Sequence, residues 1–361
     1  MASMQEAELL ECPIEPRPHP ELEREARKKL GIVPPALRYF TSVPWVARFT
    51  MFNRNDAILV HTGFELNDLI FLAVSQDNSC HFCYSAQRTF LRLLGYPEDR
   101  IQRLEQDFFT GELEDHDRRS IDFAKRISRA NPLPSRADLK LLREAGFAEE
   151  ELKELAFMAS YVVAANRVTT LPAFPIELIE GFTKRWWVRL LGPLLGRLIR
   201  TQRKPGVREF LSPEHKTGPY SYLVLALDGL PVARFLRELI DAAWSSLVLA
   251  PRTKALVFAI VARGVGSLRA EREAIRLLVE QGLAGDQIEV ILSHLSSPLL
   301  DPAEKVMLPL ARASIRYDHT QIQRQALEVS KQLTQEQFVE LIGVIGLANL
   351  LCRLELICDP E

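Results

Sequence analysis

The residues best suited to chemistry are the two thiols of Cys80-His81-Phe82-Cys83. Asn78 and Ser79 precede them and are good N-cap types, so the spacing predicts a helix that starts at Cys80 and brings Cys83 in one turn later. Unpaired N–H groups and the macrodipole at such a terminus favour a negative charge, which turns a thiol into a thiolate more readily. Two thiols at this spacing can also close a disulfide, one attacking and the other resolving. Asp68 lies 12 residues before Cys80. If the preceding helix folds back as an antiparallel hairpin at Asp77-Asn78, Asp68 returns alongside the thiols as a proton acceptor, directly or through water. Gln87 is one turn beyond Cys83 on the same face, whereas His81 points to another side of the helix. A zinc site would need four ligands, and there is no second CxxC. Cys352 and Cys358 sit among leucines and read as small buried apolar residues.

The elements that must position these residues read as helices. Apolar residues recur at three-to-four spacing over Glu65–Val74, Cys80–Leu94, Ser120–Ile127, Glu150–Val163, Ala255–Ala262, Glu273–Leu278 and Gln337–Leu351. Stop signals fall between them, such as Gly95 with Pro97, Asn131-Pro132-Leu133-Pro134 and Gly282. The expectation is an all-α protein. Sliding the chain by 187 positions places Leu69, Phe71 and Val74 on Leu256, Phe258 and Val261, and Leu91 and Gly95 on Leu278 and Gly282. With a slip of one residue, Glu154, Leu155 and Arg167 match Glu340, Leu341 and Arg353. A nearly constant offset across separated segments predicts two copies of one helical domain, packed as an internal pseudo-dimer. Cys80 and Cys83 fall on Ser267 and Ala270, so one copy is expected to be active and the other structural.

The chain has 361 residues, 47% of them hydrophobic, and a formal net charge of -2, so nothing global points to nucleic acid or to an acidic ligand. Residues 1–30 form a proline-rich extension whose Cys12–Pro20 stretch is expected to be extended or poorly ordered, with Cys12 as an exposed tail thiol. Glutamates 6, 8, 11 and 15 argue against a signal peptide, and no run of apolar residues is long enough for a membrane span. Five cysteines in so long a chain fit a reducing cytoplasm better than a disulfide framework. Two domains are predicted over 31–180 and 216–361. The basic amphipathic stretch at 181–215 joins them, carrying Lys184, Arg185, Arg203 and Lys204 with Trp186 and Trp187. Its composition suits a connector packed against the domains, or a membrane-surface segment over 184–204.

The segment from Asp68 through Cys80 and Cys83 to Gln87 resembles the AhpD-like alkylhydroperoxidase branch of the carboxymuconolactone decarboxylase family. That pattern is a glutamate, a CxxC 12 residues on, and a histidine four residues after the second cysteine. Ala165-Asn166-Arg167 resembles the Asn-Arg ending of a later helix in the same family. An active copy fused to a thiol-less copy also resembles the arrangement in sestrins. The resemblance implies a cysteine peroxidase or dithiol oxidoreductase without flavin, haem or metal. It makes Cys83 the attacking thiol, Cys80 the resolving thiol and Asp68 the relay acid. It implies a hydroperoxide substrate, a thioredoxin-like or lipoyl dithiol reductant, and a homo-oligomer or internal pseudo-dimer. The relay histidine maps to Gln87, which hydrogen-bonds but accepts no proton near pH 7; His81 is a possible supporting group. The departure leaves room for a non-catalytic redox-sensing or scaffold protein, and the family's lactone decarboxylase activity ranks last. Asn166 and Arg167 are expected to be structural.

Overall fold

The computed structural model describes residues 10–30, 33–34, 36–51, 58–106, 108, 113–176, 178, 194, 196–201 and 203–358. The described chain is all-α, and its only extended pairing is the isolated bridge between Glu209 and Gly229. The first half comprises α1 (Pro20–Leu30), α2 (Leu37–Phe40), α3 (Pro44–Thr50), α4 (Phe64–Asp77), α5 (His81–Leu93), α6 (Glu98–Gln106), α7 (Asp115–Arg129), α8 (Arg136–Glu144) and α9 (Glu149–Thr170). The second comprises α10 (Ser221–Ala226), α11 (Pro231–Ser245), α12 (Pro251–Val265), α13 (Leu268–Glu280), α14 (Gly285–His294), α15 (Pro302–Ala313), α16 (His319–Ser330) and α17 (Gln335–Leu354). Every helix expected from periodicity is present, and all but α5 run about one to two turns longer than the apolar pattern alone marked.

Helix starts at Pro44, Phe64, His81, Glu98 and Asp115 recur 187 positions later at Pro231, Pro251, Leu268, Gly285 and Pro302. The corners recur as well. Helix α5 ends with Gly95 at φ 87°, where the N–H of Tyr96 reaches back to Leu91 O at 3.0 Å; α13 ends with Gly282 at φ 88° and Leu283 N–H bonded to Leu278 O at 3.2 Å. A left-handed residue at this point needs no Cβ, which explains glycine at both ends.

The middle of the molecule is the pairing of α9 with α17, the most extensive contact between any two helices described. Both are apolar almost all round and almost wholly buried, as helices in the centre of a core must be. By length and composition 335–358 would pass for a membrane span, but here its most apolar 18-residue stretch is 83% buried inside the protein. Two arginines cross between the halves. Nε of Arg167 donates to Ser314 O at 3.0 Å, and Nε of Arg353 donates to Ser128 O at 3.3 Å. Each bonded residue lies 186 positions from its counterpart, so the two bonds exchange donor and acceptor halves reciprocally. Both guanidiniums are fully buried and hold helix ends together, as the structural reading of Arg167 anticipated. Asn166 does likewise, accepting from Ser75 Oγ at 3.1 Å and donating to Val74 O at 3.4 Å.

The N-terminal extension departs from expectation. It is extended from Leu10 to His19, as its prolines dictate, but it is docked rather than loose. Glu15 and Gln335 exchange hydrogen bonds at 3.1 and 3.0 Å, Arg17 pairs with Glu336 at 2.7 Å, and Ile14 is buried. Cys12 is therefore half-buried instead of exposed, and burial, only partly offset by its bond to Ile14 O, pushes its thiol up to about 11. Most of the basic connector, including Trp186 and Trp187, lies outside the described residues. Its described end returns to the first half, where Arg200 bonds Leu94 O and Gly206 N–H bonds Leu59 O at 2.7 Å.

Candidate active site

Helices α4 and α5 meet at a sharp corner. Ser79 takes a left-handed conformation (φ 51°), and Cys80 N–H closes the turn onto Ser75 O at 3.0 Å. Cys80 is thereby the N-cap itself rather than the first helical residue, and its sulfur accepts the N–H of Cys83 at 3.4 Å. The thiol does the work that a serine or aspartate oxygen usually does at this position.

The last turn of α9 covers the thiols. Thr169 Oγ1 is 3.1 Å from Cys80 Sγ and 3.0 Å from Cys83 Sγ. Cys83 Sγ also lies 4.0 Å from Ala165 O. Burial pushes the Cys80 thiol up. Hydrogen bonds from the Cys83 thiol, the Thr169 hydroxyl and the Cys83 N–H outweigh that, and the thiol falls from 9.0 to about 7. Arg167 adds to the same effect: among the described residues it bonds neutral acceptors, and its charge is within electrostatic reach of Cys80. The other cysteines go the opposite way; burial drives Cys352 well up and Cys358 up to about 12.

The two sulfurs open onto different spaces. Cys83 lines a cavity of about 200 Å³ whose walls include Phe40, Phe49, Phe71 and Tyr161. Gln87 lines the same cavity and is fully buried. Its Nε2 donates to Asp68 O at 3.0 Å, while its Oε1 has no hydrogen-bond partner among the described residues. Cys80 lines a larger cavity of about 460 Å³, walled by the docked extension with Cys12, by His81, and by His319 and Gln323 of the second half. Phe82 and Thr169 stand between the two spaces and line both.

Of the residues singled out in the sequence, Cys80, Cys83 and Gln87 come together. Asp68 lies next to Gln87, but through its backbone carbonyl. Its carboxylate is held by Arg203, at 2.8 and 3.2 Å, in a buried ion pair. The hairpin expectation placed the residue correctly along the helix, and the distant Arg203 decides what its carboxylate faces. His81 is exposed, with its ring stacked 4.2 Å from that of His319. Burial and the neighbouring His81 hold His319 down to about 4. Thr169 and His319 were not singled out from the sequence, and Arg203 was named only as one of the connector's basic residues. Thr169 alone carried a signal: it lies one helical turn beyond Asn166, and in the 186-position register it falls opposite Glu355.

No protein-family description matches the chain, and no curated protein does. Among solved structures it is similar to an uncharacterized peroxidase-related protein from Silicibacter sp. TM1040, with 23% identity and a TM-score of 0.37. The likeness covers 48% of this chain and 94% of that one. The functional reading therefore rests on this chain's own residues.

Proposed function

We propose that the protein is a thiol-dependent peroxidase or dithiol–disulfide oxidoreductase of AhpD-like type, working through Cys83 and Cys80. The observation that carries the reading is the Cys80 sulfur, capping a helix and lowered to about 7 beside a second thiol that shares its hydroxyl partner. Cys83 attacks the terminal oxygen of a hydroperoxide, the O–O bond breaks, and an alcohol leaves. The Cys80 sulfur then attacks the sulfenic acid, expels hydroxide that is protonated to water, and leaves a Cys80–Cys83 disulfide. A dithiol reductant, thioredoxin-like or lipoyl, restores both thiols. Gln87, which lines the Cys83 cavity and whose Oε1 has no hydrogen-bond partner among the described residues, is the group we assign to accept the hydroperoxide O–H, orienting the substrate without taking a proton. Two copies of one helical domain, packed as an internal pseudo-dimer, are supported by the recurring helix starts and the reciprocal arginines.

One observation favours a slower, non-catalytic redox sensor on the same fold. The Asp68 carboxylate is neutralised by Arg203, so the acid of the expected relay is occupied. Turnover separates the two readings. The full chain, given cumene hydroperoxide and excess dihydrolipoamide, consumes many equivalents of peroxide as an enzyme and about one as a sensor. In either case Cys83→Ser must lose the consumption; a variant that consumes peroxide as the wild type does refutes both.

A further inference from the structure

The proposed reaction lacks a histidine where the relay would place one, so the proton on Cys83 needs another destination. We propose that the Thr169 hydroxyl passes the Cys83 proton to the Cys80 sulfur, making Cys80 the internal base and Thr169 a catalytic residue. This rests on the peroxidase reading for its chemistry, but its geometry is independent of it.

The hydroxyl oxygen lies at nearly equal distances from the two sulfurs, 3.0 Å from Cys83 and 3.1 Å from Cys80. A hydroxyl both donates and accepts, so it can receive the Cys83 proton on its oxygen while handing its own to Cys80. Its alternative acceptor is Ala165 O at 3.0 Å, a bond within its own helix, so the O–H has a resting position and a transferring one. The receiving sulfur is built to hold charge: it caps α5, accepts the Cys83 N–H, and lies within electrostatic reach of Arg167. A thiol lowered to about 7 is also matched to a base working near neutral pH.

The second half supplies an independent sign that this corner holds an anion. Glu355, which occupies the Thr169 position there, puts its carboxylate on the start of α13. It accepts Arg269 N–H at 2.8 Å, Ala270 N–H at 2.7 Å and the Ser267 hydroxyl. The first half has no carboxylate at that place. It has a hydroxyl and two sulfurs, of which Cys80 is lowered to about 7.

The steps balance. At rest Cys83 is a thiol and Cys80 a thiolate. The proton crosses through Thr169, and Cys83 attacks the hydroperoxide to give a sulfenic acid and an alkoxide. The alkoxide takes the proton back from Cys80, releasing the alcohol. The regenerated Cys80 thiolate displaces hydroxide from Cys83, which solvent protonates, and the disulfide forms. Two electrons leave the sulfurs and reduce one peroxide bond.

The test compares Thr169→Val, which keeps the shape and removes the hydroxyl, with Thr169→Ser, which keeps the hydroxyl. Two readouts are taken on the full chain: the pH midpoint of iodoacetamide alkylation, and single-turnover disulfide formation with cumene hydroperoxide. The valine variant should move the midpoint up from about 7 by about one unit or more. It should slow disulfide formation roughly 100-fold, the usual worth of a proton-transfer group. Serine should restore both. If valine leaves midpoint and rate within about twofold of wild type, or serine is as impaired as valine, Thr169 only packs against the thiols and the proposal is wrong. Iodoacetamide needs no peroxide, so a shifted midpoint in a protein that hydroperoxide never oxidises would preserve the proton path and sink the peroxidase reading instead.

Discussion

The α4–α5 corner and the α12–α13 corner share a backbone and differ in what fills it. Ser79 and Gly266 both take positive φ, at 51° and 84°, and Cys80 and Ser267 both close the turn with an N–H onto a carbonyl five residues back. In the first half the helix start faces Cys80, Cys83 and Thr169; in the second it faces the Glu355 carboxylate. Ala255 and Ala274 stand where the first half has Asp68 and Gln87. The same electrostatic demand at a helix N-terminus is thus met by a carboxylate in one half. In the other it is met by an ionisable, oxidisable sulfur. On the proposed reading, the carboxylate makes a structural corner and the thiols a reactive one.

The comparison can be broken most severely at the ion pair that only the first half possesses. Asp68→Asn leaves Arg203 buried without its counter-charge and should cost about 3–5 kcal/mol in urea unfolding. If the loss is below about 1 kcal/mol, the pair is not what sets the Asp68 carboxylate apart from Ala255. Glu355→Ala removes the carboxylate from a buried helix start, and about 3 kcal/mol should go with it. The alkylation midpoint of Cys80 should not move in that variant, because the two corners work independently.

The titratable corner also makes stability depend on pH. Cys80 ionises more readily folded, at about 7, than unfolded, near 9.0, so its contribution is complete above the unfolded value and is lost as pH falls through the folded one. Stability should therefore rise by roughly 2–3 kcal/mol between pH 6 and 9. Urea titrations of wild type against Cys80→Ser should show that rise only in the wild type. The smallest expected effect is at the interface between the halves. A Cβ on Gly343 would approach Val46 and Trp45 to 2.5 and 2.7 Å, so Gly343→Ala should lose about 1–2 kcal/mol with thiol chemistry unchanged.

Much of this was legible in the sequence, for local reasons. Helical periodicity marked α4, α5, α9 and α17, and the two thiols and Gln87 needed only one helix to place them on neighbouring turns. The recurrence of elements showed because similar apolar positions and the αL glycines Gly95 and Gly282 occur in both halves. What sequence spacing did not reveal came from chain far away. Arg203 arrives from within the connector to claim Asp68, and Thr169 arrives at the end of a 22-residue helix to bridge the sulfurs. The proline-rich extension was read by composition as an unanchored tail, yet side chains of the second half pin it over the Cys80 cavity. Cap geometry was also out of reach: the left-handed Ser79 shifted Cys80 from first helical residue to cap, where its sulfur accepts the Cys83 N–H.

The most direct test of the central claim is peptide mapping by mass spectrometry after the reduced full chain meets one equivalent of cumene hydroperoxide. A disulfide between Cys80 and Cys83, with Cys12, Cys352 and Cys358 still reduced, is the predicted result. A reduced Cys80–Cys83 pair alongside oxidation elsewhere, or no oxidation at all, would contradict it.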